Sequence, residues 1–425
     1  MSLGFEQAGF DVVAAVEIDP VHCATHLFNF PYSTIIPRSV VGLSAADIRE
    51  ASGLGDREVD CVFGGPPCQG FSLIGQRSLE DPRNHLVLEF IRIVRELGAR
   101  SFVFENVKGL TIGTQRAFLE DFISECDRAG YDVVRPWHVL NASHHGVPQD
   151  RERLFLLGVR RGEPMPKYPV VTTSGNGACN LLEASTPTCF DALGDLPDAE
   201  TYEALRVSDE VACGPLGARS AYASFLRCEV DSDWAFGYRR AWDPLILTSS
   251  ARTEHSVISR RRFRETPPGV VEPISRFYRL APNGISNTLR AGTDGARGAF
   301  TSPRPIHFDH ARCVTVREMA RLHGYPDWFR FHATKWHGAR QVGNSVPPPL
   351  ARVVAGAVAS SLGFRPCLAP NVLQLGDPSL LRVEMSQAAS LMRVPVPIQR
   401  RDRRSGSRKR SQLEVEASRK ALLHA

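Results

Sequence analysis

The sequence predicts an α/β fold, an open, doubly wound and mostly parallel sheet with a smaller irregular domain attached. Three observations predict it. Short apolar runs alternate with helical apolar stripes over about 150 residues. The alternation stops after Arg160, where residues 161–310 become rich in Gly, Pro, Ser and Arg. Regular patterning returns at Thr315 and closes with an apolar helix ending at Leu362.

Val12–Val16 reads as a parallel strand ending in Glu17, with Ile18 and Asp19 behind it. A carboxylate at a strand's carboxyl end can take a ribose diol, because it accepts two hydrogen bonds. A solvated acid after a strand fits equally well. Asp47-Ile48 is a second acid–apolar pair, of the kind that can flank a purine ring.

Val59–Phe63 reads as a short buried strand. Gly64-Gly65-Pro66-Pro67-Cys68-Gln69-Gly70-Phe71-Ser72 ends it in a rigid, irregular turn. Cys68 sits at the tip of that turn. Such a cysteine is either a small apolar filler or a nucleophile.

Leu86, Phe90, Ile93, Val94 and Leu97 form a helical stripe, followed by a strand from Ser101 that ends in Glu105-Asn106-Val107. Phe118, Leu119, Phe122, Ile123 and Cys126 form a second stripe, closed by Gly130. Val133–Val139 and Leu154–Val159 are further strands, separated by a stretch containing Gln149-Asp150-Arg151-Glu152-Arg153. Thr315-Val316-Arg317-Glu318 is a capping box that opens a helix, and Gly324-Tyr325-Pro326 stops it. Gln341-Val342-Gly343-Asn344-Ser345-Val346 precedes the last helix, Leu350–Leu362.

A chain of 425 residues, 43% hydrophobic and 23% charged, fits one large globular domain plus a smaller one. No apolar run reaches the ~18 residues of a membrane span. Met1–Glu6 lacks the pattern of a secretory signal. Ten cysteines include no Cys-x-x-Cys pair, so reduced cytoplasmic thiols and no metal are expected. Residues 363–425 hold 12 Lys/Arg against 5 Asp/Glu, which leaves −2 of the net +5 on the rest of the chain. That segment reads as a basic, disordered tail. From Arg219 to Arg264, 9 Arg stand against 5 acids with aromatic residues interleaved, and Arg260–Arg264 is a strong cluster. Such a surface suits nucleic acid; a solvated irregular domain has the same composition.

Five motifs, in order, resemble those of the DNA (cytosine-5)-methyltransferases. They are the Cys68 loop, Glu105-Asn106-Val107, Gln149–Arg153, the helix from Thr315 to Pro326, and Gln341–Val346. The resemblance covers most of residues 1–160 and 311–362. It implies a methyltransferase fold in which 1–160 and 311–362 form the catalytic domain, 161–310 the target-recognition domain and 363–425 a tail. It implies methyl transfer from S-adenosyl-L-methionine to C5 of a flipped cytosine in double-stranded DNA, through a covalent Cys68–C6 adduct. Glu105 would bind N3, Arg153 the 2-carbonyl, and Arg151 with Gln149 would brace that shell or touch phosphate. Glu17, Ile18, Asp47, Ile48, Pro67, Asn344 and Ser345 would line the cofactor pocket. The implied setting is the bacterial cytoplasm and nucleoid, as a monomer, with a cognate restriction endonuclease as partner. Family members carry a strand and glycine-rich cofactor loop just before the segment matched by Leu3-Gly4-Phe5, and this chain starts after it. That departure keeps open a catalytically silent DNA-binding relative. A cysteine enzyme acting on free pyrimidine nucleotides is a third reading.

Overall fold

The computed structural model describes residues 1–67, 85–113, 115–174, 184–214, 216–229, 237–293 and 301–397. The first half runs α1 (Ser2–Gln7), β1 (Ala14–Val16), α2 (Pro20–Asn29), β2 (Thr34–Ile36), α3 (Ala45–Ser52), β3 (Cys61–Gly64), α4 (His85–Leu97), β4 (Ser101–Val107), α5 (Gln115–Arg128), β5 (Tyr131–Val133), β6 (His138–Asn141) and β7 (Glu152–Arg160). The alternation expected from the apolar pattern is present, with α4 and α5 on the two predicted stripes.

The sheet is mixed. β3 and β4 pair in parallel. β7 then runs antiparallel to β4, and β5 and β6 share its other edge. β1 and β2 form a separate parallel pair. The single strand expected over Val133–Val139 is two strands, because Pro136 between them has no N–H to give to a ladder. β4 is buried along most of its length, as a central strand covered on both faces must be. Phe102 and Phe104 pack with α4 and α5 on one face, while Val103 faces the opposite cluster with Phe155 and Leu157.

The later helices are α6 (Cys189–Leu193), α7 (Ala221–Leu226), α8 (Val257–Glu265), α9 (Val316–Leu322), α10 (Lys335–Asn344), α11 (Pro348–Ser361) and α12 (Met385–Leu391). The capping box opens α9 as expected, with Thr315 and Glu318 bonding each other's backbone. α11 returns to the start of the chain and packs on α1. The contact is close enough that a Cβ on Gly4 would stand 2.5 Å from that of Ala351.

Two expectations change. Residues 363–397 are folded, and only 398–425 of the expected tail lie outside the described residues. Val372–Leu373 pairs with Arg239–Arg240, and Leu381, Ala388 and Ala389 are fully buried. Averaged charge hid this apolar face. The boundary expected at residue 310 is also not a break in the core among the described residues. Leu280, Leu289 and Phe308 share one cluster with Val314, Val316 and Met319 across residue 310.

The arginine cluster on α8 is largely engaged within the fold. Arg260 Nη1 donates to Glu200 at 2.8 Å, Arg261 Nε pairs with Glu265 at 3.0 Å, and Arg262 faces the buried Glu272 at 3.6 Å. No helix among the described residues is long and apolar enough to cross a membrane.

Candidate active site

The site lies where β1, β3 and β4 end at their carboxyl termini, the edge at which open α/β sheets take ligands. β3 and β4 are in register with Gly64 opposite Phe104. The loop leaving β3 therefore starts beside Glu105, the next residue of β4. Asn106 Nδ2 donates to Pro66 O at 3.1 Å and ties the two strand ends together. Gly65 leaves room for the carboxylate here, because a Cβ would stand 2.5 Å from Glu105 Oε2. Pro67 is exposed. Cys68, three residues beyond Gly65, lies outside the described residues.

Antiparallel pairing brings Arg153 to the same carboxylate. Val107 is opposite Arg153 and Glu105 opposite Phe155, so Glu105 and Arg153 are diagonal neighbours on one face. Arg153 Nε meets Glu105 Oε1 at 3.0 Å, and both side chains are largely buried. Burial raises the Glu105 carboxyl above its ordinary range, against the pull of Arg153 and Arg151. Burial likewise lowers the Arg153 guanidinium.

Arg151 has a different job from the substrate contact allowed by the sequence. It is 1% exposed. Nη1 donates to Leu289 O at 3.0 Å, and Nη2 to Gly343 O at 2.9 Å and Ser345 O at 2.8 Å. It is a brace, holding the turn after α10 against the chain at Leu289. Gln149 braces similarly, with Nε2 on Leu322 O at 3.2 Å and Oε1 accepting from Leu289 N at 3.2 Å. Ser345 turns its hydroxyl onto Val342 O at 2.8 Å, and Asn344 is exposed.

At the end of β1, Glu17 and Ile18 stand side by side, and Ile18 is 62% exposed. Glu17 Oε1 accepts from Asp19 N at 2.9 Å. Burial pushes the Glu17 carboxyl up, but His22 and the nearby backbone donors bring it below its ordinary value. The apolar pattern does not single out His22; its signal is a histidine in the first turn of the helix that follows the strand-end acid.

Asp47 and Ile48 are both engaged in their own part of the fold. Asp47 is the N3 residue of α3, its Oδ2 accepting from Ser44 N at 2.9 Å and Ser44 Oγ at 2.8 Å. Ile48 is 6% exposed and packs with Ile36, Leu43, Ile93 and Leu97, so it has no face for a ring to stack on.

The family model for C-5 cytosine-specific DNA methylases matches residues 1–360. This chain belongs to that family. As a C-5 cytosine-specific DNA methylase it is 53% identical over 394 residues to the type II methyltransferase M.XorII of Xanthomonas oryzae pv. oryzae, covering 93% of this chain and 90% of that one. It is 31% identical to M1.HphI of Haemophilus parahaemolyticus, with 84% and 83% covered. A crystal structure described as a DNA modification methyltransferase encoded within an E. coli prophage superposes on this methylase with a TM-score of 0.66. That pair is 31% identical and covers 85% of this chain and 96% of that one. The fold is therefore that of the S-adenosylmethionine-dependent methyltransferases.

Proposed function

We propose that this methylase adds a methyl group to C5 of a cytosine flipped out of double-stranded DNA, with Cys68 as nucleophile and S-adenosyl-L-methionine as methyl source. The observation that carries the reading is the Glu105 carboxylate, pinned between Arg153 and the backbone of the loop that leads to Cys68.

Cytosine C5 is a weak nucleophile. Addition of the Cys68 thiolate to C6 makes the ring enamine-like and places negative charge on N3 and O2. Glu105, its carboxyl raised by burial, can donate a proton or a short hydrogen bond to N3. Arg153 uses Nε on Glu105 and Nη1 on Glu152 O, at 2.7 Å, so Nη2 is the donor assigned to the 2-carbonyl oxygen. Asn106 keeps the two strand ends at fixed spacing while the loop carries the sulfur. Loss of the C5 proton to water then lets sulfur leave. Flipping the base costs a few kcal/mol.

The residues at the end of β1 fit a nucleoside. Glu17 offers a carboxylate for the ribose hydroxyls and Ile18 an exposed apolar surface for one adenine face. When bound, S-adenosylmethionine supplies an electrophilic methyl group. Asn344 and the exposed Pro67 are the remaining candidates for the pocket wall. The relatives named as type II methyltransferases favour a restriction–modification setting, with a paired endonuclease as partner.

Bisulfite sequencing of plasmid DNA from a methylation-free host tests the proposal. Protected cytosines in one short motif, lost with Cys68→Ala, are expected. Absence of protection from this chain and from one extended upstream, both folded, would instead support a silent DNA-binding protein.

A further inference from the structure

The strand-end acid Glu17 is half of a larger charged group. α2 starts at Pro20 with Asp19 as its cap, the Asp19 carboxylate accepting from Val21 N at 2.9 Å and His22 N at 3.3 Å. The His22 ring folds back over this cap. Nδ1 is 3.8 Å from Glu17 Oε2, and Nε2 is 4.0 Å from Asp19 Oδ2. Each ring nitrogen thus faces a different carboxylate. Nε2 is buried and has no hydrogen-bond partner among the described residues.

We infer that His22 is a positioning residue for the cofactor site: as an imidazolium bracketed by Glu17 and Asp19, it holds the Glu17 carboxylate oriented toward a ribose diol. The inference rests on the proposed nucleoside-binding role of Glu17. A cation in the first turn of a helix is opposed by the helix dipole. The helix therefore gains nothing from the charge, whereas the two acids do. At about 4 Å the contacts are too long for good hydrogen bonds, but they retain Coulomb attraction in a half-buried site.

The other charged or titratable groups around the ring are few. Arg340, from α10, opposes protonation of His22. His337, also on α10, and His26, one turn further along α2, are each lowered to about 4 by burial and stay neutral near pH 7. His332 is lowered as well. Burial opposes charge on His22 itself, but Glu17 and Asp19 overcome it and raise its pKa above the ordinary value of 6.5. The imidazolium is present below that raised pKa and lost as pH rises through it. Ribose affinity should therefore weaken on the alkaline side, while Glu17, depressed, stays ionised throughout.

Calorimetric binding of S-adenosylhomocysteine to the full chain between pH 6 and 9 tests this, with His22→Gln and Glu17→Gln alongside. The wild type is expected to lose about 5-fold in affinity across the range. His22→Gln should be weaker by a similar factor at pH 6 and flat with pH. Glu17→Gln should lose ~10-fold or more throughout, as two hydrogen bonds to the diol are weakened. Wild-type affinity and pH profile in His22→Gln, with Glu17→Gln weakened, would overturn the role of His22 alone. No loss in Glu17→Gln, or no binding by the wild type, would overturn the nucleoside reading of Glu17 and with it the positioning role. An NMR titration of the His22 ring reads the pairing without ligand. Its midpoint should fall in Glu17→Gln, and an unchanged midpoint overturns the bracketed imidazolium.

Discussion

Gly65→Ala asks whether the Glu105 carboxylate must stand where the structure puts it. The added methyl would lie 2.5 Å from Glu105 Oε2, whereas ordinary contact begins at 3.4 Å. The carboxylate must retreat by about 0.9 Å, and in a close-packed site it cannot do so without turning. Arg153 restrains that movement, holding the other oxygen at 3.0 Å. Displacement of a reacting group by about 1 Å costs on the order of 100-fold in rate. Gly65 has no positive φ in this structure, so alanine adds little backbone strain, and stability should change by less than ~1 kcal/mol. Single-turnover transfer of a tritiated methyl group into DNA, with a melting curve for each protein, measures both. A transfer rate within a factor of about three of wild type would refute the reasoning. In a Glu105→Gln background the same change should add little further loss, because both act through one carboxyl.

Further expectations come from the buried charges and the C-terminal segment. Arg151→Met leaves the carbonyls of Leu289, Gly343 and Ser345 without their guanidinium donor, and should cost about 3–5 kcal/mol in urea unfolding. A loss below ~1 kcal/mol would remove its bracing role. Burial raises Glu318, but Arg312, bonded to both its oxygens at 2.8 Å, holds it down to about 2. A depressed carboxyl contributes stability above its unfolded pKa near 4.5 that is lost as pH falls toward 2. Wild-type melting temperature should therefore drop steeply below about pH 4.5, and Glu318→Gln should flatten that limb from a lower starting point. A chain ending at residue 397 should melt like the full chain, whereas one ending at 363 should melt lower because Leu381, Ala388 and Ala389 are lost from α2's cover.

Local periodicity made most of the catalytic half legible. Phe102–Phe104 could only be a buried strand, and the stripes on α4 and α5 could only be amphipathic helices. The same local view left out the structural part that Asp47 plays. Ser44 and Asp47 spell a helix start, and that spacing gives Asp47 hydrogen bonds to its own turn. Long-range partners explain the other differences. Arg151 reads as a brace or a phosphate contact until Leu289 and Gly343, far along the chain, supply its acceptors. The arginines of α8 look free until Glu200 and Glu272 come beside them. The sequence singles out Glu105 and Arg153 separately, and their pairing depends on the antiparallel register of β4 and β7.

The contact between α1 and α11 sets an order on how the protein comes into being. Phe5, Ala8 and Val12 belong to the same cluster as Leu350, Val354 and Val358. On the ribosome, the face of this cluster that α11 covers must wait for some 340 more residues after Phe5, although Phe63 and Phe155 in the same cluster arrive earlier. At about 5–20 residues per second this takes roughly 17–70 s. During that interval α1 has no finished surface to dock on, and the strand ends that carry Glu17 and Glu105 lack their closing helix. A nascent chain cut short before α11 lacks Leu350, Val354 and Val358 from this cluster, so the strand ends that carry Glu17 and Glu105 are closed late in synthesis.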